Sequence, residues 1–173
     1  APAKVGGNYK VASFNVLNYF TTFTNGATAS GQTGQGCRLG NSVSASNCRG
    51  ANNLVEFNRQ RNKIIRALTA INADAVGLME IQNNGTTAAQ NLVDGLNAVL
   101  GANTYAVIAD PASGTGTDAI KVAMIYKPAR LTPTAGALSD TNSINNRPTL
   151  AQTFRAANDE KFSVLVNHFK SKS

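Results

Sequence analysis

Apolar residues fall along this chain in two rhythms, one of runs and one of helical spacing. Lys10-Val-Ala-Ser-Phe-Asn15 is a short apolar run closed by polar residues, which predicts a buried strand with Asn15 at its carboxyl end. From Leu54 to Ile71 the residues Leu54, Phe57, Ile64, Ile65, Leu68 and Ile71 recur at helical spacing, with Arg59, Arg61, Lys63 and Arg66 largely opposite. That pattern predicts an amphipathic helix with a basic outer face. Asn72-Ala-Asp74 breaks it, and Ala75-Val-Gly-Leu-Met79 predicts a second buried strand ending on Glu80. Strand, helix, strand is a crossover unit, and two parallel strands would set Asn15 and Glu80 at one carboxyl edge, where open α/β sheets place ligands.

A second helix is expected from about Thr87 to Leu100, with Leu92, Val93, Leu96, Val99 and Leu100 on one side and Gly101 closing it. The chain then changes character. Residues 105–109, 121–127, 150–155 and 161–170 are strand-like runs separated by Gly, Pro, Asn and Asp. The last alternates, with Phe162, Val164, Val166 and His168 on one face and Ser163, Leu165, Asn167 and Phe169 on the other. Between Asn18 and Asn53 the composition is that of loops, a long insertion that can rim a site.

Composition sharpens this α/β reading. The 173 residues are 42% hydrophobic and only 14% charged, a globular rather than disordered balance, enough for one domain or a large piece of one. No run of about 18 apolar residues is present to cross a bilayer, and the first residues lack the apolar core of a signal peptide, so the chain reads as a mature or excised domain. Sixteen Lys and Arg against nine Asp and Glu give +7, which attracts polyanions, although the basic residues form no run. The two cysteines, Cys37 and Cys48, close a short Gly-, Ser- and Asn-rich segment. A disulfide is expected there rather than free thiols, and it points to a secreted, oxidising setting. A cysteine metal site is disfavoured because the single His and two Cys cannot complete four ligands.

Three residues are candidates for chemistry. Glu80 after an apolar strand is a hard oxygen ligand on a rigid element, as Mg²⁺ or Ca²⁺ requires, although an acid in that place is commonly just solvated. Asn15 can offer a carbonyl oxygen to the same ion or hold Glu80 through its amide. His168, the sole histidine, lies beside Asn167 and close to Lys170 and Lys172, where an imidazole can pass a proton while cations hold a phosphate.

Five segments become specific together: Lys-Val-Ala-Ser-Phe-Asn15-Val-Leu-Asn18, Ala-Asp74-Ala-Val-Gly-Leu-Met-Glu80-Ile-Gln-Asn83, Gly-Thr-Asp118-Ala-Ile-Lys-Val-Ala-Met-Ile-Tyr126-Lys-Pro, Asn146-Arg147-Pro148 and Val-Asn167-His168-Phe-Lys-Ser-Lys172. In this order and spacing they resemble the endonuclease/exonuclease/phosphatase superfamily of the DNase I type, in its branch of secreted bacterial nucleases, from about residue 9 onward. The resemblance implies a four-layer α/β sandwich of two mixed sheets flanked by helices, of which residues 1–173 are the N-terminal half. It implies metal-dependent phosphodiester hydrolysis of nucleic acid, DNA foremost, with Mg²⁺, Ca²⁺ or Mn²⁺ as cofactor. By position, Glu80 and Asn15 match the metal-binding residues, His168 the general acid or base, and Arg147 a phosphate contact assisted by Asn167 and Lys170, with a structural ion pair as the other role open to Arg147. Asp118 matches an acid near the site, while Tyr126 is expected to pack in the core.

The departures matter as much. Members of the family carry a second half with a Gly-Asp-Leu-Asn-like segment and a late Asp-His pair that activates water, and neither is in this sequence. The expectation is therefore that residues 1–173 alone are inactive, that a C-terminal half completes them, and that without it an apolar face and a sheet edge lie open. A phosphatase, a lipid phosphodiesterase or a non-catalytic nucleic-acid-binding fragment are the alternative functions.

Overall fold

The computed structural model describes residues 6–145 and 147–169. Strand β1 (Val11–Tyr19) and strand β4 (Ala75–Gln82) run parallel and are joined through helix α1 (Leu54–Ile71), as the crossover pattern requires. Strand β6 (Ile120–Tyr126) lies antiparallel to β4, and the two-residue β5 (Ala106–Val107) pairs with its far side, giving a mixed sheet in the order β1-β4-β6-β5. A second sheet is antiparallel, in the order β7 (Thr132–Pro133), β8 (Leu150–Arg155), β9 (Lys161–Val166). Helix α1 and helix α2 (Thr87–Leu100) cover one face of the mixed sheet, and the second sheet covers the other.

Side-chain alternation in the strands builds the two cores. In β4, Val76 and Leu78 join the helix-side cluster with Phe57, Ile65, Leu68 and Leu92. Ala75 and Met79 turn the other way and meet Met124, Leu150, Phe154 and Val166 between the sheets. Strand β6 is packed on both faces, which is why it reads as an apolar run interrupted only by Lys121. Tyr126 stacks near Phe154 with ring centroids 5.5 Å apart, the core role expected of it.

Helix α1 begins where Asn53 accepts from the Glu56 amide at 3.0 Å, while the Glu56 carboxylate accepts from Asn52 N at 2.9 Å. It ends on Asn72 in the left-handed conformation. Its apolar stripe is narrower than the spacing predicts, because Leu54 is exposed. In α2 likewise Val99 and Leu100 lie outside the core, beyond the last turn that meets α1 and the sheet.

Several boundaries differ from expectation. Strand β1 continues past Asn15 to Tyr19 through a register shift at which Leu17 and Asn18 take positive φ. The final strand stops at Val166, so His168 sits beyond it rather than on it. The 18–53 segment is not structureless, since strands β2 (Cys37–Leu39) and β3 (Ser42–Ser44) form a hairpin followed by a 3-10 turn, and β7 carried no apolar signal. Cys37 and Cys48 are joined as a disulfide and bury against Phe20, Ala119 and Ile120, so the segment is clipped to the start of β6 rather than left loose. Closing a loop of this size is worth about 3 kcal/mol.

Three of the four expected layers are built here; among the described residues no helix covers the outer face of β7-β8-β9. Strands β1 and β9 are the edges of their sheets, and a groove of about 460 Å³ lies between them, lined by Val11, Met79, Val164, Leu165 and Phe169 among others. Leu165 is 64% and Phe169 82% exposed, so the described part of residues 121–170, which ends at Phe169, is not fully covered. No described helix is long and apolar enough to cross a membrane.

Candidate active site

Strands β1 and β4 break step at the same height. The register of β1 against β4 shifts between Asn15 and Tyr19, and that of β4 against β6 shifts between Leu78 and Ile81. Glu80 sits in the second irregularity with φ 63, a left-handed backbone that a non-glycine residue adopts only under constraint. The extra residue resets the alternation, since Ile81 takes the helix-side core position that Glu80 would otherwise fill. The carboxylate is thereby directed to the sheet edge. There Asn15 Nδ2 donates to Glu80 Oε1 at 2.8 Å, while Asn15 Oδ1 accepts from Leu17 N at 2.8 Å and fixes the amide. Of the two roles open to Asn15, the structure displays the holding of Glu80.

His168 arrives from the second sheet, two residues past β9. Its Nε2 faces Glu80 Oε1 at 3.6 Å and its Nδ1 faces Arg147 Nη1 at 3.5 Å. A guanidinium can only donate, so Nδ1 is the accepting nitrogen and the proton of the neutral ring lies on Nε2, toward Glu80. Burial pushes the imidazole pKa below its ordinary value and the Arg147 charge pushes the same way, against the opposing pull of Glu80 and Asp118. Near neutral pH the ring is therefore uncharged and able to exchange a proton.

Arg147 Nε donates to Asp118 Oδ2 at 3.0 Å, and Arg49 pairs with the other carboxylate oxygen. Burial raises the Asp118 pKa, but Arg147, the Ile120 amide and Arg49 outweigh it and leave the carboxyl below its usual range. Asp118 is itself placed by the continuation of β4. Asn83 Nδ2 donates to the Asp118 carbonyl at 3.0 Å and to Gly116 O at 3.1 Å, while Thr115 donates to Asn83 Oδ1 at 2.8 Å. Gln82, buried, accepts from Thr21 N at 2.8 Å and Thr22 N at 3.1 Å and so fixes the chain after β1.

Asn15, Glu80, Asp118, Arg147 and His168 are thus brought together from five separated segments. A cavity of about 270 Å³ opens beside them, lined by Asn145, Arg147, Thr149, Asn167, His168 and Phe169 among others. Asn167 belongs to that lining, whereas Lys170 lies outside the described residues, as does Asn146 of the Asn-Arg-Pro motif. Sequence reasoning missed Arg49, Asn83 and Gln82. Arg49 carried one usable signal, a cation next to a bridged cysteine, while Asn83 and Gln82 followed Glu80 within a quoted motif without an assigned role.

The donor set fits a hard divalent cation in part. Glu80 is held by a neutral amide, and among the described residues no Lys or Arg pairs with it. No cluster of three His, Cys, Asp or Glu suited to a metal occurs among those residues. One carboxylate with an amide oxygen, waters and substrate phosphate is a manner in which Mg²⁺ is commonly held.

No protein-family model matches the chain, and no curated protein matches it. Solved structures similar to it include a humanized TDP2 of D. rerio, 15% identical, covering 65% of this chain and 43% of that one with a TM-score of 0.48. An endonuclease/exonuclease/phosphatase of Bacteroides vulgatus is 14% identical, covering 66% of this chain and 45% of that one with a TM-score of 0.46. The catalytic domain of human Nocturnin with bound sulfate is 15% identical, covering 80% of this chain and 50% of that one, also with a TM-score of 0.46. The chain thus spans half or less of the length of these structures.

Proposed function

We propose that these residues are the first half of a divalent-metal-dependent phosphodiesterase of the endonuclease/exonuclease/phosphatase type, a secreted nuclease acting on DNA. The observation that carries this reading is the convergence of Glu80, His168 and Arg147 at one sheet edge, with a carboxylate, an imidazole and a guanidinium side by side. A charge of +7 supports a polyanionic substrate, and the disulfide supports an oxidising location.

Glu80, with Asn15, would hold the ion. When bound, a divalent cation supplies Lewis-acid polarisation of a phosphoryl oxygen and offsets charge that grows during hydrolysis. Arg147 orients the phosphate through its planar donor fork, kept in place by Asp118. His168 gives or takes a proton at a phosphate-ester oxygen, its ring oriented between Arg147 and Glu80. Asn167 and Lys170 add polar and cationic contacts to the substrate backbone. Gripping a backbone through cations predicts loose sequence preference and affinity that falls with salt.

One histidine cannot serve as both acid and base in one step, so the water-activating group comes from a second half that docks along the open edges of β1 and β9. The described residues are inactive without it. The test uses the full-length protein. Glu80→Ala should abolish plasmid cleavage in Mg²⁺, as EDTA should for the unaltered protein. A Glu80→Ala protein that cuts DNA at the original rate sinks the assignment, and a protein that cleaves a phospholipid head group but not DNA redirects it to the lipid phosphodiesterases.

A further inference from the structure

The disulfide-clipped segment contributes a cation to the site that the reaction outlined above does not use. Arg49 follows Cys48 directly and reaches Asp118 Oδ1, while Arg147 occupies Oδ2. Two guanidiniums on one carboxylate leave a surplus positive charge. Their surroundings differ, since the Arg147 side chain is 13% exposed and that of Arg49 42%. Arg49 therefore retains donors open to solvent while its position is fixed by a covalent bridge one residue away.

A groove of about 490 Å³ runs along this side of Asp118, lined by Leu39, Gly40, Gly116, Thr117, Asn145 and Pro148. Its hairpin wall is tied to the opposite loop by Gly40 N donating to Thr117 O at 2.7 Å. Asn145 lines both this groove and the cavity at His168, so the two adjoin at that residue. Asp118 is the one charged residue in the groove's described lining, and alone it would repel an anion. Arg49 and Arg147 do not line the groove, but both pair with that carboxylate and so outnumber its charge at the groove's margin.

Resting on the nuclease reading, we infer that the groove is a subsite for the stretch of polynucleotide beside the scissile phosphate, and that Arg49, held on Asp118 at the groove's margin, binds the neighbouring phosphate from there. Arg49 is thus a substrate-binding residue displayed on a disulfide-locked loop. Apart from Asp118 the lining is uncharged, which fits a sugar-phosphate chain without selecting a base.

The experiment compares kcat/KM of the full-length protein on a dinucleotide, with one phosphodiester, and on a hexanucleotide. The gain from the longer substrate should shrink about tenfold in Arg49→Gln, the scale of one lost charge-assisted contact. The dependence of log KM on log salt for the hexanucleotide should flatten by about 0.7, one single-strand phosphate contact. Arg49→Lys, which keeps the charge without the fork, should recover the salt slope and part of the gain. A purely structural role would lower both substrates alike, so an unchanged ratio in Arg49→Gln and Arg49→Lys overturns the inference. If the unaltered protein gains nothing from length, the nucleic-acid reading itself fails, which is a separate outcome.

Discussion

Gly77 offers the sharpest test of how the two sheets hold the site. It lies in the middle of β4, and a Cβ built on it would fall 2.7 Å from Val166 Cγ2 and 3.1 Å from Val166 Cγ1. Carbon atoms rest at about 3.5 to 4.0 Å, so Gly77→Ala creates an overlap of about 1 Å. Val166 cannot swing away, because it is buried between the sheets and a β-branched side chain is stiff about χ1. Overpacking of this kind costs about 1 to 3 kcal/mol. Removing a strand glycine returns about 0.5 to 1 kcal/mol, so the net expected loss lies between roughly 0 and 2.5 kcal/mol and centres on about 1. Val166→Ala alone leaves a small cavity costing about 2 kcal/mol. In the double variant the methyl added at position 77 takes part of that space, so its loss should fall short of the sum by about 1 kcal/mol or more. Denaturant midpoints of the four proteins measure this cycle. His168 follows Val166 by two residues, so activity should fall in Gly77→Ala and recover in part in the double variant. Strict additivity would refute the close approach of β4 and β9.

Two other expectations concern charge. The Asp118 carboxyl titrates below its ordinary range, so its contribution to stability is present above about pH 4 and is lost as pH falls through the folded-state value. Asp118→Asn should lower the melting temperature at pH 7 and flatten its decline below pH 4; an unchanged acid limb counts against the Arg147 and Arg49 pairing. Lys121, 2% exposed, has its pKa lowered by burial, opposed by its partner Asp110. Asp110→Ala should cost about 3 kcal/mol by leaving a buried charge unpaired, whereas Lys121→Met should cost far less. Equal losses in urea melts would show that the pair itself, rather than the stranded charge, sets the energy.

The main elements and the central juxtaposition were legible in the sequence. The spacing of Phe57, Ile64, Ile65 and Leu68 identifies α1, the runs ending at Asn15 and Glu80 identify two strands, and a crossover between them places both polar residues at one edge; only β4 is buried as expected, because β1 is a sheet edge with Val11 and Ser13 exposed. Local pattern suffices for α1 and β4 because burial of one helix face and of both faces of a central strand shows directly in residue order. The same reasoning overextended the last strand through His168 and left the hairpin in the 18–53 segment unseen. Those features depend on partners distant in sequence. Polar strands such as β2 and β3 carry no apolar signal.

Order along the chain determined which groups are available: one histidine, a carboxylate after an apolar run, a basic surplus and a single pair of cysteines. The tertiary structure alone decided how they meet. Paired irregularities in β1 and β4 direct Glu80 to Asn15, the packing of β9 on Gly77 carries His168 across from the other sheet, and the disulfide brings Arg49 to Asp118 over 69 residues. Each of these depends on contacts between segments that no local periodicity records, because register shifts and sheet-to-sheet spacing are set only when both partners are in place.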